Sequence, residues 1–368
     1  MTHRSRQPCS RRPRARKTLS RLAVLFLLAA ATGCASLRYY AHVVHGQAAL
    51  LAQREPIERA VDDPRLDPSV RDSLRGALAA RRFASDRLDL PRNRSYASYV
   101  QLDRPFVTWS VFAAPEFAVE PITHCFPFAG CVGYLGFFDH ARAEREAKKL
   151  VGEGYDTAVR GVAAYSTLGW FADPIVSSML RGGDDELDRV IFHELAHQKL
   201  YLRDDTAFNE SYASFVADEG LREWRAANGR VAADGGSDHD DDFTRLALDL
   251  RERLRTLYAS PLDEAAMRRD KAAAIEAFRA RLRDLREREW HGDHAYDAWL
   301  AAPINNASLV PFGLYDRWID AFAALFSASD GDWSAFHARV RELARLPRSK
   351  REQRLDALGS AERGAHAR

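Results

Sequence analysis

The chain has 368 residues, 46% of them apolar and 29% charged, a composition that supports a buried core and excludes a disordered or fibrous polymer. Eight of its 54 basic residues crowd into the first 21 positions; setting them aside leaves 46 bases against 52 acids, a net charge near −6. That balance argues against nucleic acid as a partner.

The first 33 residues have the layout of an export signal. Arg4 to Arg21 form a basic region, and LAVLFLLAAA, from Leu22 to Ala31, is an apolar core too short for a comfortable membrane span. The run ends in Ala31-Thr32-Gly33-Cys34, which resembles a bacterial lipobox. That resemblance implies that Cys34 is lipidated and becomes the mature N-terminus, tethered to a membrane on the periplasmic side. Ala35 in place of an aspartate favours the outer membrane by the same likeness. A cleaved soluble signal with a coincidental cysteine is the plainer alternative.

Beyond the leader, Leu37 to Ala60 reads as helix, and Asp67 to Ala84 repeats the pattern after the turns at Pro64 and Pro68. FVTWSVFA, residues 106–113, and GVAAYSTLGWF, residues 161–171, are rich in β-branched and aromatic side chains and read as strands. Between them lie CFPFAGC, GYLGFF and a charged helix from Asp139 to Gly152. In an oxidising compartment Cys125 and Cys131 are expected to close a short Pro/Gly loop as a disulfide, since two thiolates alone make an incomplete zinc site. From Asp184 onward the pattern is almost entirely helical. Phe243 to Tyr258 and Leu262 to Glu289 read as a helical hairpin with charged outer faces. SDHDDD, residues 237–242, gathers carboxylates around His239, but its flanks read as a solvated connection. The expected class is therefore α+β and mainly helical. A lipoprotein signal over 1–33 precedes one domain over 34–347, built from a small α+β part at about 100–183, a hairpin at 184–228 and a helical part at 241–347. A polar, frayed tail over 348–368 would follow.

The chemistry concentrates in VIFHELAHQKLYLRDDTAFNES, residues 190–211. His193 and His197 are four apart, so on a helix their imidazoles emerge one turn apart on one face and can converge on one ion. Glu194 is rotated about 100° from His193, placed to reach a water on the metal rather than the metal. Asp184 or Asp185 can cap this helix, which should run to about Leu202, with Arg203 to Asp205 turning into a second helix from Thr206 to about Ala227. At about 1.5 Å per residue, His197 lies about 7 Å before the turn and Glu210 about 6 Å after it, so an antiparallel hairpin brings them level. Glu219 lies about 180° round and about 13 Å further along, and Asp218 is equally far, so neither fits. A bare HExxH also arises by chance on helices. Three ligands and a neighbouring carboxylate, however, are what one zinc ion needs to lower the pKa of a water and let Glu194 take its proton.

HELAHQKLY followed by NESYASF, residues 209–215, resembles the gluzincin metallopeptidases, in which a downstream Asn-Glu helix supplies the third ligand. The short spacing is similar to that of the bacterial family of predicted lipoprotein aminopeptidases. CFPFAGCVGYLGFF, AYSTLGWFADPIVSSML and INNASLVPFGLY extend the likeness over nearly the whole mature chain. The resemblance implies a gluzincin-like fold, one Zn²⁺ held by His193, His197 and Glu210, Glu194 as general base and acid, and a peptide substrate cut near its N-terminus. It also implies a strand from Gly161 to Thr167 that pairs with substrate around Ala164 and Tyr165. Tyr315 is the candidate oxyanion donor, with Tyr165, Tyr201 and Tyr212 as competitors and Asn305 and Asn306 as helix caps near the cleft. The GxMEN signature that holds a substrate ammonium in alanyl aminopeptidases is absent; Glu116 and Glu120 are the candidate substitutes. Two alternatives remain: an envelope endopeptidase, or a catalytically silent lipoprotein that binds partners through its helical hairpin.

Overall fold

The structure is a computed structural model that describes residues 38–126, 130–230, 236–315 and 317–366, without the side chains of 236–238, 314–315 and 361–366. The leader and Cys34 lie outside the described residues. The coordinates divide at residue 52 into two units. The first contributes one helix, α1, over 38–52. The helix expected to reach Ala60 stops there, and Glu55–Pro56 instead forms a short strand, β1, before a single turn of helix, α2, at Ile57–Ala60. Pro56 explains the break, because its ring removes a backbone donor and disfavours helix at the residue before it.

In the second unit α3 spans Pro68–Asp86, and Asp67 caps it by accepting from the Ser69 N–H, with proline at the first helical position where a missing donor costs nothing. Strand β2, Ser98–Val100, pairs antiparallel with β1 and parallel with a late strand at Ile175–Val176. Strand β3, Thr108–Pro115, is buried over its first seven residues. It lies between β6, Tyr134–Phe137, and β7, Tyr155–Val162, both antiparallel to it. The two strands between, β4 at His124–Phe126 and β5 at Gly130–Val132, pair only with each other. The late partner of β2 is β8. Helix α4, His140–Gly152, starts where the Asp139 carboxylate accepts from the Arg142 N–H and lays Ala143, Ala147 and Leu150 against the sheet. A second helix packs on β3 as well, which is why β3 reads as a continuous apolar run rather than an alternation.

One strand was expected over 161–171, and the structure corrects it. The strand is β7, it ends at Val162, and 163–171 is irregular. Leu168 and Gly169 have φ of 56° and 81°, values that no strand contains. Residues Ala164 and Tyr165 therefore lie just beyond the end of β7, the edge strand of its sheet.

The rest is helical. After a 3₁₀ turn at Ser177–Gly182 come α5, Gly183–Lys199, and α6, Thr206–Ala227, then α7, Gly236–Tyr258, and α8, Glu264–Arg288. Helices α7 and α8 pack as the expected hairpin over a cluster that includes Phe243, Leu250, Phe278 and Trp290. Short α9, Asp297–Ala301, leads to α10, Asn306–Tyr315, the second helix on β3. Helices α11, Ile319–Ser327, and α12, Trp333–Ala344, precede α13, Arg348–His366. The expected frayed tail is thus a helix packed on α11, with Leu355 fully buried. No described helix is long and apolar enough to cross a membrane.

Candidate metal centre

The centre is built on the antiparallel pair α5 and α6. Helix α5 is capped at Gly182, not at Asp184 or Asp185. Those two carboxylates are used across elements: Asp184 accepts from the Ser73 hydroxyl at 2.6 Å, and Asp185 pairs with Arg225 at 2.7 Å and Arg230 at 2.6 Å. Buried Asp188 accepts from Trp224 Nε1 at 2.8 Å, and its burial pushes its carboxyl up to about 6. These contacts bind the start of α5 to the end of α6.

The other end of the pair is held by the turn. Helix α5 ends at Lys199, three residues earlier than the sequence suggests, as Leu200 becomes extended. Asn209 spans the gap: its Oδ1 accepts from the Leu202 N–H at 2.7 Å and its Nδ2 donates to the Leu202 carbonyl at 2.7 Å. One side chain thus satisfies both backbone polar groups of a residue that neither helix can serve. Asp205 caps α6 by accepting from the Phe208 N–H at 3.2 Å, and Arg351 of α13 clasps its other oxygen. The disulfide hairpin braces the same turn. Cys125 and Cys131 face each other across β4 and β5 and are bonded. The Cys131 N–H donates to Asp204 Oδ1 at 2.7 Å. Gly130, at φ 77°, lies so close to Arg203 and Asp204 that a Cβ there would sit 2.4 Å from the Asp204 carboxylate.

Between the braced ends, His193 Nε2 and His197 Nε2 are 3.1 Å apart, and each lies 3.3–3.4 Å from Glu210 Oε2. The side chains are 12%, 7% and 9% exposed. Nitrogen and oxygen ligands about 2.0–2.1 Å from a tetrahedral ion such as zinc stand about 3.3 Å from one another, and the three atoms have that spacing. Burial works against charge on Glu210, yet the two imidazoles pull its carboxyl down to about 2. Burial likewise opposes charge on His197, but Glu210 and Glu194 raise it. One cation between them would draw on a lone pair from each of the three atoms at once. His197 Nδ1 is buried without a hydrogen bond.

Around this face the structure gathers phenols. Tyr134 of β6 packs with Phe112, Ala207 and Val310; burial first, then Glu210, Tyr201 and Glu194, raise its hydroxyl. Tyr201 stacks edge-on against His197 with ring centres 6.3 Å apart. Tyr165 packs against Phe138 and is pushed up to about 12, by burial and then Asp173. Tyr96 is 1% exposed, and Glu194 follows burial among the causes that raise it. Sequence reasoning passed over Tyr134 and Tyr96; GYLGFF was the one signal for the first.

Other candidates fall elsewhere. Tyr212 points away and hydrogen-bonds His337 at 2.9 Å. Asn305 caps α10 through the Ser308 N–H and donates to the Thr157 carbonyl, while Asn306 donates to the Pro115 and Glu116 carbonyls. Both fix α10 to the sheet. Glu116 is held by Arg268 at 2.7 Å and Glu120 by Arg255 at 2.9 Å, both in exposed surface pairs. The Tyr315 side chain lies outside the described residues. His239 pairs with Asp293 at 2.9 Å on the first turns of α7. Among the described residues, the SDHDDD acids do not gather with it into a metal-holding group.

Two histidines from one helix closed by a glutamate from the next, on a mainly helical α+β fold, define a candidate site for a single metal ion. The chain belongs to the family described as "Putative aminopeptidase", whose model matches residues 38–355. No curated protein and no solved structure matches it.

Proposed function

We propose that the chain is a zinc-dependent aminopeptidase of gluzincin type, anchored through a lipid on Cys34 and facing the periplasm, with the outer membrane favoured. The observation that carries the reading is the buried convergence of His193, His197 and Glu210 beside Glu194, in a chain whose family is described by peptide hydrolysis. The borderline-to-hard donor set of two imidazoles and one carboxylate suits Zn²⁺ and leaves a position open. When bound, zinc lowers the pKa of a water and polarises the scissile carbonyl.

The chain's own residues do the rest. Glu194 takes a proton from the attacking water and delivers it to the leaving amine. Tyr315, with Tyr134, whose hydroxyl feels both Glu210 and Glu194, as its competitor, donates to the developing oxyanion. The backbone around Ala164 and Tyr165, just past the free edge of β7, receives an extended peptide. The lipid anchor rests on the apolar run from Leu22 and the Ala-Thr-Gly-Cys that ends it.

Zinc-loaded protein is tested on paired peptides, one with a free N-terminus and one acetylated. An aminopeptidase releases N-terminal residues only from the free member of each pair. Equal cleavage of both would replace this reading with an endopeptidase.

A further inference from the structure

The chain exposes two large aromatic side chains side by side, Trp170 at 69% and Phe171 at 52%. They are not on a slack loop. Thr167 donates its N–H and its hydroxyl to the buried Asp173 carboxylate at 2.9 Å, and its own Oγ1 and carbonyl accept from the Phe171 and Trp170 N–H groups at 3.0 and 3.1 Å. Leu168 and Gly169 both take positive φ within this turn. So constrained a segment fixes two large, mostly exposed apolar side chains in place, a patch of the kind that can serve as a contact site.

The turn stands beside the metal centre. Gly169 packs directly on Gln198, where a Cβ would come within 3.2 Å of Oε1, and Gln198 is fixed from the other side by Asn93 at 2.6 Å and Ser95 at 3.3 Å. Gln198 lies one helical turn beyond Glu194 on the same face of α5. The Trp170–Phe171 turn therefore flanks the metal centre on its Glu194 side, and it continues the backbone that runs past the edge of β7.

We propose that Trp170 and Phe171 form a subsite for a large apolar side chain of an extended peptide, next to the bond that is cut. The inference rests on the peptidase reading. A bilayer is the rival occupant, since Arg54 donates to the Ala172 carbonyl at 2.8 Å and an arginine commonly flanks interfacial aromatics; the packing of the turn on Gln198, one helical turn from Glu194, favours the substrate. Stacking and burial against an indole and a phenyl ring suit leucine, phenylalanine or methionine side chains.

The test uses zinc-loaded wild type and the W170A/F171A variant on free-N-terminus peptides in which one position at a time is Leu, Phe, Ser or Asp. At one position beside the cleaved bond the wild type should prefer Leu or Phe over Ser by about tenfold or more in kcat/KM. The variant should lose that preference through KM, with zinc content and melting temperature unchanged. A variant that keeps the preference overturns the subsite, as does one whose only defect is lost binding to phosphatidylcholine vesicles. Should wild type cleave nothing, the peptidase reading fails on its own. Fluorescence polarisation with the same peptides on Glu194→Gln then decides the subsite: tighter binding of apolar peptides that vanishes in W170A/F171A supports it, and equal binding overturns it.

Discussion

Asn209 shows how one side chain sets the geometry of the metal face. Its amide pairs with both backbone polar groups of Leu202, so the turn cannot lengthen without breaking two hydrogen bonds, and Glu210 follows it directly. Asn209→Ala should cost about 1–2 kcal/mol of stability and weaken zinc binding, read by thermal melting and by competition with a chelator. An unchanged zinc affinity would show that Glu210 is placed by other means. His337 makes a different prediction. It is fully buried, donates Nε2–H to the Leu88 carbonyl and accepts from Tyr212 at Nδ1. Burial pushes it down to about 4. The unfolded chain takes up this proton below its ordinary value of about 6.5 and the folded chain does not until about 4, so stability is lost as pH falls between them, by about 3 kcal/mol. Asp173 and Asp188, raised to about 6 chiefly by burial, act in the opposite sense. The comparison that isolates His337 is therefore between wild type and His337→Gln. Denaturant unfolding from pH 7 to pH 4 should fall more steeply for wild type, and parallel curves would contradict the assignment.

At the scale of elements, what could be read from the sequence follows from how local the cause is. The helix starts at Asp67, Asp139 and Asp205 were legible because a capping carboxylate and its N–H are neighbours in the chain. The antiparallel α5–α6 pair was legible because a short turn dictates it, and the structure brings His193, His197 and Glu210 together as that hairpin requires. Three of the features that were not legible show why. The Gly182 cap of α5 is decided by remote partners that take Asp184 and Asp185. The end of β7 is decided by its pairing with β3 and by the Asp173 anchor. The helical tail is decided by packing on α11 and by Arg351 reaching Asp205. Tertiary contact overrides local pattern in each. The disulfide hairpin adds a prediction that joins two elements distant in sequence. Since Gly130 and Cys131 hold the Arg203–Asp204 turn, Cys125→Ser with Cys131→Ser should weaken zinc affinity about tenfold, the size expected when support around a ligand is lost, while circular dichroism stays native. Equal affinity in the oxidised and double-serine proteins would mean the hairpin only covers the turn.

Across the whole molecule, segments far apart in the chain converge on the two ends of one helical hairpin. Ser73 of α3 secures its start beside the hairpin's own Trp224, Arg225 and Arg230. The disulfide hairpin and α13 secure its turn, through a buried Arg351–Asp205 pair 6% and 2% exposed. A fold that commits a buried ion pair to one turn, at a desolvation cost that such a pair does not always offset, is organised around what the turn positions. The most direct measurement is metal content and peptide turnover for wild type and Glu194→Gln, purified without added metal and then reconstituted. The account predicts one zinc per chain in both and turnover in wild type alone. A wild-type protein that neither carries zinc nor takes it up, or a Glu194→Gln variant that turns over peptide at the wild-type rate, would contradict it.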